Sequence, residues 1–174
     1  MKRAILTLAL VSIIPSLHAA ELRLGHLFQD HMVLQRELKA PVWGWGDPGD
    51  DVTVAFAGRE LAATAGEDGY WRVEFEGLKA AHEGRTLTVS DGETELEIED
   101  VLVGEVWFSA GQSNMARSVG GDAYKAPLVR QRLGETEFPR MRYIRFSGAP
   151  SREPLADRLV KGSTWTPVTG DAFL

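Results

Sequence analysis

Apolar and polar positions alternate along residues 21–100, in short runs that are separated by turn-forming residues. Val52, Val54 and Phe56 alternate with polar or small neighbours. A period of two is typical of a strand that buries one of its faces. The same alternation recurs after a glycine-rich turn, at Trp71, Val73 and Phe75. These runs predict short strands, and no helical period lies between them.

Turn signals divide the predicted strands. Asp91-Gly92 is a two-residue hairpin signal between a strand that ends near Val89 and a returning strand that holds Leu96 and Ile98. Two earlier strands are predicted, at Met32–Leu34 and at Val42–Trp45. Short strands with frequent turns predict an all-β sandwich over residues 21–100. Its core is expected to be built on Trp43, Phe56, Trp71 and Phe75.

The pattern changes after residue 100. Val101–Phe108 is a nearly continuous apolar run, as expected of a strand that is buried on both faces of an α/β layer. A helix is predicted after Ser113 and a second helical piece at 128–133, followed by a strand at Met141–Phe146. Residues 147–174 are predicted to form a loop that Trp165 anchors. This order predicts the beginning of an α/β domain over residues 101–174, shorter than such a domain normally needs.

Residues 1–20 are predicted to be a secretory signal peptide. Lys2 and Arg3 precede an almost uncharged apolar run, and Ala19-Ala20 offers small residues at the cleavage position. The alternative is an uncleaved N-terminal anchor, although the run is short for a membrane span. The chain has no cysteine, and an exported chain without disulfides fits a bacterial periplasm or the extracellular space.

Charge and composition exclude several classes of partner. Removal of residues 1–20 takes away two of the 19 basic residues and none of the 25 acidic ones, which leaves a net charge of −8. Nucleic acids and anionic lipids attract clustered basic residues, so we expect no nucleic-acid partner, and no membrane partner after signal cleavage. The absence of cysteine excludes thiolate metal sites and a cysteine nucleophile.

Ser113 is the main candidate for chemistry. It follows the apolar run and a glycine, where a strand stops and a helix is predicted to begin. A serine there is exposed at the edge of a sheet, and its own backbone N–H can stabilise an oxyanion. The alternative is a helix N-cap, a common role for serine. Gln112 and Asn114 flank it and are candidates to shape the pocket or to donate to substrate; the alternative is hydrogen bonding within the local turn.

The remaining polar candidates have a structural alternative in each case. The histidines outside the signal are His26, His31 and His82, which are each expected to be turn or surface residues. A calcium site at Asp47, Asp50 and Asp51 competes with a simple turn, and the EF-hand spacing is absent, so no metal is assigned. Trp43, Trp45 and Trp71 are sugar-stacking platforms or core residues, with Trp45 the best candidate for a platform. Glu93, Glu95, Glu97 and Glu99 are expected to form a solvated strand face.

Three motifs resemble one known family. They are Asp30-His31-Met32-Val33-Leu34-Gln35-Arg36, Val42-Trp43-Gly44-Trp45-Gly46 and Gly111-Gln112-Ser113-Asn114-Met115. Together they resemble the sialate O-acetylesterases and related carbohydrate acetylesterases, which belong to the SGNH (GDSL-like) hydrolases. The resemblance covers essentially the whole chain after the signal.

The resemblance implies a β-rich N-terminal domain followed by a flavodoxin-like α/β hydrolase domain. It implies that Ser113 is the nucleophile, that its backbone N–H is an oxyanion donor, and that His31 has a structural role at the domain junction. The family's other oxyanion donors and its Asp and His come later in the chain, and no histidine follows Ser113 here. The chain therefore resembles the N-terminal portion of such an esterase and is expected to be inactive or nearly so.

Two hypotheses on function follow. In the first, the chain is part of an exported serine esterase that removes O-acetyl groups from sialic acid or another carbohydrate, without metal or organic cofactor. In the second, it is a non-catalytic β-sandwich module that binds a glycan or a partner protein. The sugar, the position of the acetyl group and the oligomeric state stay open.

Overall fold

The computed structural model describes residues 21–111, 138–146, 152, 153, 155, 157 and 163–168. Ten strands and no helix lie within these residues. In this part of the chain no helix is therefore long and apolar enough to cross a membrane. The strands are β1 Arg23–Leu24, β2 Val33–Gln35, β3 Ala40–Trp45, β4 Asp51–Phe56, β5 Arg59–Thr64, β6 Tyr70–Phe75, β7 Ala81–Ser90, β8 Glu95–Gly104, β9 Phe138–Tyr143 and β10 Thr166–Val168.

The strands form two larger sheets and a separate antiparallel pair. One sheet has the order β1-β3-β6, and the other has the order β2-β8-β7-β4-β5. All neighbours are antiparallel except β2 and β8, which are parallel. The third sheet is the pair β9-β10. Antiparallel strands joined by short turns are what the alternating sequence predicts.

The two larger sheets share one hydrophobic core. The alternation in β4 places Val52, Val54 and Phe56 on its buried face, each at most 2% exposed. The corresponding residues of β6 are Trp71, Val73 and Phe75, which are also buried. Side chains from both sheets belong to one cluster, which is the packing of a β-sandwich. The predicted all-β sandwich is thus confirmed.

Trp43 is an exception to the predicted core. Side chains alternate across a strand, so the burial of Val42 on the inner face of β3 places Trp43 on its outer face. There Trp43 is half-buried and packs edge-to-face against Phe28, with the ring centroids 4.6 Å apart. Trp43 thus packs against the core cluster as a partly buried residue, whereas the other three predicted core residues, Phe56, Trp71 and Phe75, are buried within it.

Two hairpins show how the turns fix the register. Ala57 and Gly58 connect β4 to β5 and both have positive φ, 53° and 74°. Two such residues match the twist of the flanking strands. The connection from β7 to β8 spans four residues, 91–94, because Ser90 pairs with Glu95. The predicted two-residue hairpin at Asp91-Gly92 is wrong in length; the Asp91 carboxylate accepts the backbone N–H groups of Glu93 and Thr94 instead.

The strand predicted at Val101–Phe108 is wrong in its bounds. Val101 to Gly104 is the last part of β8, so the predicted boundary after residue 100 falls inside a sandwich strand. The next residues are not in a strand, and Trp107 and Phe108 are 85% and 84% exposed. Only the first part of the apolar run lies in the core, where Val101 and Val103 belong to the shared cluster and β2 and β7 flank β8 in the sheet.

The strand predicted at Met141–Phe146 is confirmed in part. The observed β9 ends at Tyr143 and pairs antiparallel with β10, which lies in a segment predicted to be loop. Trp165 anchors that segment, since its Nε1 donates to the Leu27 carbonyl at 2.8 Å and its ring packs on the core. The helices predicted after Ser113 and at 128–133 lie outside the described residues, and the α/β domain over 101–174 stays a prediction.

Gly44 provides a sharp test of the sandwich packing. A Cβ at this position would lie 2.1 Å from the Arg23 carbonyl oxygen and 2.5 Å from the Trp71 ring. We expect Gly44→Ala to lower the free energy of unfolding by about 3 kcal/mol, because backbone and core must both move. Urea denaturation measures it. Gly104→Ala is the matched control: its Cβ would meet only the Val33 side chain, at 3.6 Å. Equal losses in the two variants would contradict this packing.

Candidate functional site

The residues at the centre of the candidate site are Gln112, Ser113 and Asn114, and they lie outside the described residues. Their roles as nucleophile and pocket residues therefore stay predictions. The structure describes the chain that leads to them, from β8 through Gly111, and the chain that follows from Phe138. What it shows is how the sandwich holds these two flanking segments.

The segment 30–36 runs beside β8 and bonds to it almost residue by residue. The Asp30 carboxylate accepts the Glu99 N–H at 2.7 Å, and the His31 N–H donates to the Glu99 carbonyl at 3.0 Å. The Leu102 N–H then donates to the Met32 carbonyl at 3.0 Å. From Val33 onward the two segments pair as parallel strands. The first motif of the family resemblance is therefore the partner of the strand that leads toward Ser113.

Beyond the end of β8, two side chains of this motif continue the pairing. The Gln35 Oε1 accepts the Val106 N–H at 2.9 Å, and its Nε2 lies 3.2 Å from Glu105 Oε2, to which it donates. The Arg36 N–H donates to the Gly104 carbonyl at 2.9 Å, and its guanidinium forms an ion pair with Glu105 at 2.9 Å. These contacts fix residues 105 and 106, which lie beyond the pairing of β2 with β8.

Asp100 is a second point where the sandwich meets the chain around the site. Its Oδ2 lies 2.7 Å from His31 Nδ1 and 2.9 Å from Arg142 Nη2. The carboxylate fits because Gly84 on β7 has no side chain; a Cβ there would lie 2.0 Å from Asp100 Oδ1. His31 and Asp100 both have positive φ, 66° and 52°, which Asp and His tolerate better than most residues. His31 thus has a structural partner in Asp100 of β8, and its predicted place at a domain junction stays a prediction.

The environment of Asp100 favours its ionised form. Burial by itself raises the pKa of this carboxyl, but hydrogen bonds from His31 and Arg142 and the charge of Arg142 outweigh it, so the pKa lies below its ordinary value. The Arg142 side chain is only 7% exposed. A nearly buried guanidinium needs this carboxylate, so the pair ties β9 to the sandwich.

We expect Asp100→Asn to lower the free energy of unfolding by about 2 kcal/mol at neutral pH. This is less than the loss typical of a fully buried pair, because the Asp100 side chain is 35% exposed. Because the folded pKa is depressed, the contribution of Asp100 is present above the ordinary pKa of 3.8 and is lost as the pH falls through the folded value. The difference between variant and wild type should therefore shrink in acid.

Urea denaturation at about pH 7 and about pH 3 measures this difference. Asparagine keeps the positive-φ backbone without strain, so only the charge changes. Glu97→Gln is the matched control, because Glu97 is exposed on the same strand; we expect it to change stability by less than about 0.5 kcal/mol. A loss for Asp100→Asn that stays the same at both pH values would contradict the ion-pair account.

His26 has a carboxylate partner of its own. Its Nδ1 lies 2.7 Å from Asp157 Oδ2, and its backbone N–H donates to Oδ1 at 2.9 Å. The Asp157 side chain is 13% exposed and also pairs with Arg23 at 3.5 Å. A carboxylate that orients a histidine is part of serine-hydrolase chemistry. Ser113 lies outside the described residues, so the structure assigns none of the three histidines, His26, His31 and the exposed His82, to it as a base.

The three tryptophans that were candidates for sugar stacking, Trp43, Trp45 and Trp71, do not form an open platform. Trp71 is 1% exposed in the core. Trp45, the predicted exception, is half-buried with its ring covered by the Arg23 guanidinium at 3.9 Å and the edge of Tyr70 at 5.7 Å. Both of its neighbours occupy surface that a sugar would use, so the structure favours a packing role.

The acidic residues around Pro48 form a turn. The Asp50 N–H donates to the Asp47 carbonyl at 3.1 Å, and the Asp51 carboxylate accepts the Thr64 hydroxyl at 2.8 Å. Among the described residues, no group of three His, Asp or Glu side chains has the arrangement of a metal site. The glutamates of β8 are exposed at alternate positions, as predicted.

Sequence reasoning did not single out Gln35, Glu105, Asp100 or Arg142 as members of this region. Gln35 and Arg36 stand in the first motif, at the polar end of an apolar run, and Glu105 interrupts the apolar run that follows β8. These positions within the sequence pattern were the feature that could have identified the three residues in advance. Arg142 carried no signal, because its partner is 42 residues away in the sequence.

Comparison with known proteins identifies relatives. The chain is 27% identical over 159 residues to the sialate O-acetylesterase of Pongo abelii, which covers 86% of this chain and 30% of that protein. It is 33% identical over 107 residues to the sialate O-acetylesterase of Rattus norvegicus, covering 56% and 20%. No protein-family model matches the chain.

A solved structure agrees with these relatives. A carbohydrate acetylesterase from Xanthomonas citri superposes with a TM-score of 0.76 at 30% identity, over 88% of this chain and 34% of that one. The suspected relationship is therefore confirmed: the chain is related to sialate O-acetylesterases and carbohydrate acetylesterases. It spans about a third or less of the length of these relatives.

Proposed function

We propose that this relative of the carbohydrate acetylesterases is part of an exported serine esterase that removes O-acetyl groups from sialic acid or another carbohydrate. The observation that carries the proposal is the likeness to a carbohydrate acetylesterase over 88% of the chain at 30% identity. The relatives named sialate O-acetylesterase favour sialate among the possible sugars. The GQSNM motif supplies the serine that such a reaction needs.

In the proposed reaction, the Ser113 Oγ attacks the carbonyl carbon of the acetyl ester while a base accepts its proton. The carbonyl oxygen becomes an oxyanion, which the Ser113 backbone N–H helps to stabilise. The C–O bond to the sugar then breaks, and the sugar oxygen receives the proton. Water attacks the acetyl-enzyme in a second step, which releases acetate and restores the serine.

The base is the missing component of this mechanism. A serine hydroxyl is a weak nucleophile without a base within hydrogen-bond reach. Residues 114–174 contain no histidine, and in the esterases that the chain resembles the base comes later in the chain than these residues. We therefore expect residues 21–174 alone to release acetate no faster than buffer does.

The test begins with the coding DNA beyond the codon for Leu174. The proposal expects an open frame that encodes an asparagine and a glycine-rich turn, then an Asp and a His. The product of the complete frame should release acetate from O-acetylated sialic acid or from another O-acetylated sugar. A product that releases no acetate but binds the deacetylated glycan would contradict the proposal and favour the binding-module alternative. Loss of that binding in Trp107→Ala, a change at a tryptophan that is 85% exposed, would then locate the site.

A further inference from the structure

The sandwich contacts the chain on both sides of the candidate nucleophile. On the incoming side, Gln35 and Arg36 hold residues 104–106, and Val106 is seven residues before Ser113. On the far side, Arg142 is held by Asp100 at 2.9 Å. These contacts lie at opposite ends of the same stretch of chain. The sandwich therefore holds this stretch of the chain at Val106 and at Arg142.

The Gln35 contact differs from ordinary sheet pairing. Parallel pairing of β2 with β8 ends at Gln35 and Gly104. Past this point the side-chain amide of Gln35 forms hydrogen bonds like those of a neighbouring strand's backbone. Its oxygen accepts the Val106 N–H, and its nitrogen donates to Glu105. A side-chain amide offers both an acceptor and donors from a single planar group.

Arg36 completes the arrangement. Its guanidinium pairs with Oε1 of Glu105, whereas Gln35 bonds Oε2, so the two oxygens of one carboxylate are held by two consecutive residues. The Arg36 and Glu105 side chains are 39% and 54% exposed. Exposed ion pairs add little stability. The contribution of the Arg36–Glu105 pair is therefore to orient the chain as it leaves β8.

We propose that Gln35 is a positioning residue for the reaction at Ser113, with Arg36 and Glu105 as its supports; this inference rests on the proposed function. The physical reason is that attack by a serine depends on its placement, and a displacement of about 1 Å can cost up to about a hundredfold in rate. Gln35 does not contact the reacting atoms. It acts through the backbone at Val106, where it sets the direction in which the chain leaves β8.

A charge swap tests this inference in the product of the complete reading frame. In the wild type the Gln35 nitrogen lies 3.2 Å from a Glu105 oxygen, to which it donates. Gln35→Glu replaces this nitrogen by a carboxylate oxygen, so that two carboxylates face each other. We expect hydrogen exchange at the Val106 amide to become about tenfold faster, and kcat for acetate release to fall about tenfold with KM unchanged. The double variant Gln35→Glu with Glu105→Gln restores the donor and acceptor pair and should restore both measurements.

The outcomes separate the two proposals. Gln35→Leu removes the acceptor of the Val106 N–H altogether, and unchanged exchange at Val106 in that variant would overturn the positioning contact itself. Faster exchange with unchanged kcat would show that the contact is only structural. If the wild-type product releases no acetate, the proposed function fails and the positioning role fails with it, while the exchange data still report on the contact. Glu60→Gln, an exposed change on the distant edge strand β5, should alter neither measurement.

Discussion

Replacing Ser113 by alanine is expected to lower kcat for acetate release by up to about a millionfold, because nucleophile and base act as a unit and fail together. The residual rate comes from substrate binding and the oxyanion donors alone. The measurement is acetate release from an O-acetylated carbohydrate by the product of the complete reading frame. Substrate binding should be retained, since the lost hydroxyl contributes to the reaction and little to affinity.

Ser109 provides the matched control for this variant. It stands four residues before Ser113 in the same segment and is exposed in the structure. Ser109→Ala should change kcat by less than about twofold, in line with a surface substitution away from special contacts. Ser113→Ala with a rate near that of the wild type would contradict the nucleophile, and the N-cap interpretation of Ser113 would then be preferred.

Replacing Trp71 by alanine is expected to lower the free energy of unfolding by about 4 kcal/mol, the range found for large aromatic residues in well-packed cores. Trp71 is 1% exposed and packs in the single core that both sheets share. The cavity cannot close easily, because Trp71 faces Gly44 in the neighbouring strand β3. Urea denaturation followed by circular dichroism measures the change.

Two further variants separate packing from other effects. Trp107→Ala makes the same chemical change at a residue that is 85% exposed, and it should cost less than about 0.5 kcal/mol. Trp71→Phe should cost about 1 kcal/mol, because most of the apolar volume stays. The indole N–H of Trp71 is buried and has no hydrogen-bond partner among the described residues. Its removal in Trp71→Phe therefore offsets a small part of the lost packing energy. A loss for Trp107→Ala as large as for Trp71→Ala would contradict the assigned core.

The position of Asp100 explains why the predicted domain boundary does not coincide with a break in the structure. The run of glutamates stops at Glu99 and the apolar run begins at Val101, which suggested a new element. In the structure β8 crosses this point as one strand, exposed at alternate positions before it and buried after it. The change in hydropathy falls close to where β2 begins to pair with β8 in the sheet, and such a partner is not visible in local sequence.

The alternating residues of the sandwich were predictable from the sequence because burial on one face of a strand imposes a period of two. This is why Val52, Val54 and Phe56 could be placed in the core, and why the acidic residues of β8 could be placed in solvent. The motifs also allowed the relationship to carbohydrate acetylesterases to be predicted, since they depend only on the order of residues.

Only the tertiary structure decided which distant residues meet. The pairing of β2 with β8, the bonds from Gln35 to Val106, and the contact of Asp100 with Arg142 all join segments that are 42 to 71 residues apart. Such pairings depend on how two sheets stack and on the space left by a residue such as Gly84. Local periodicity reports the face that a residue occupies, whereas the partner on that face follows from packing, which no short stretch of sequence contains.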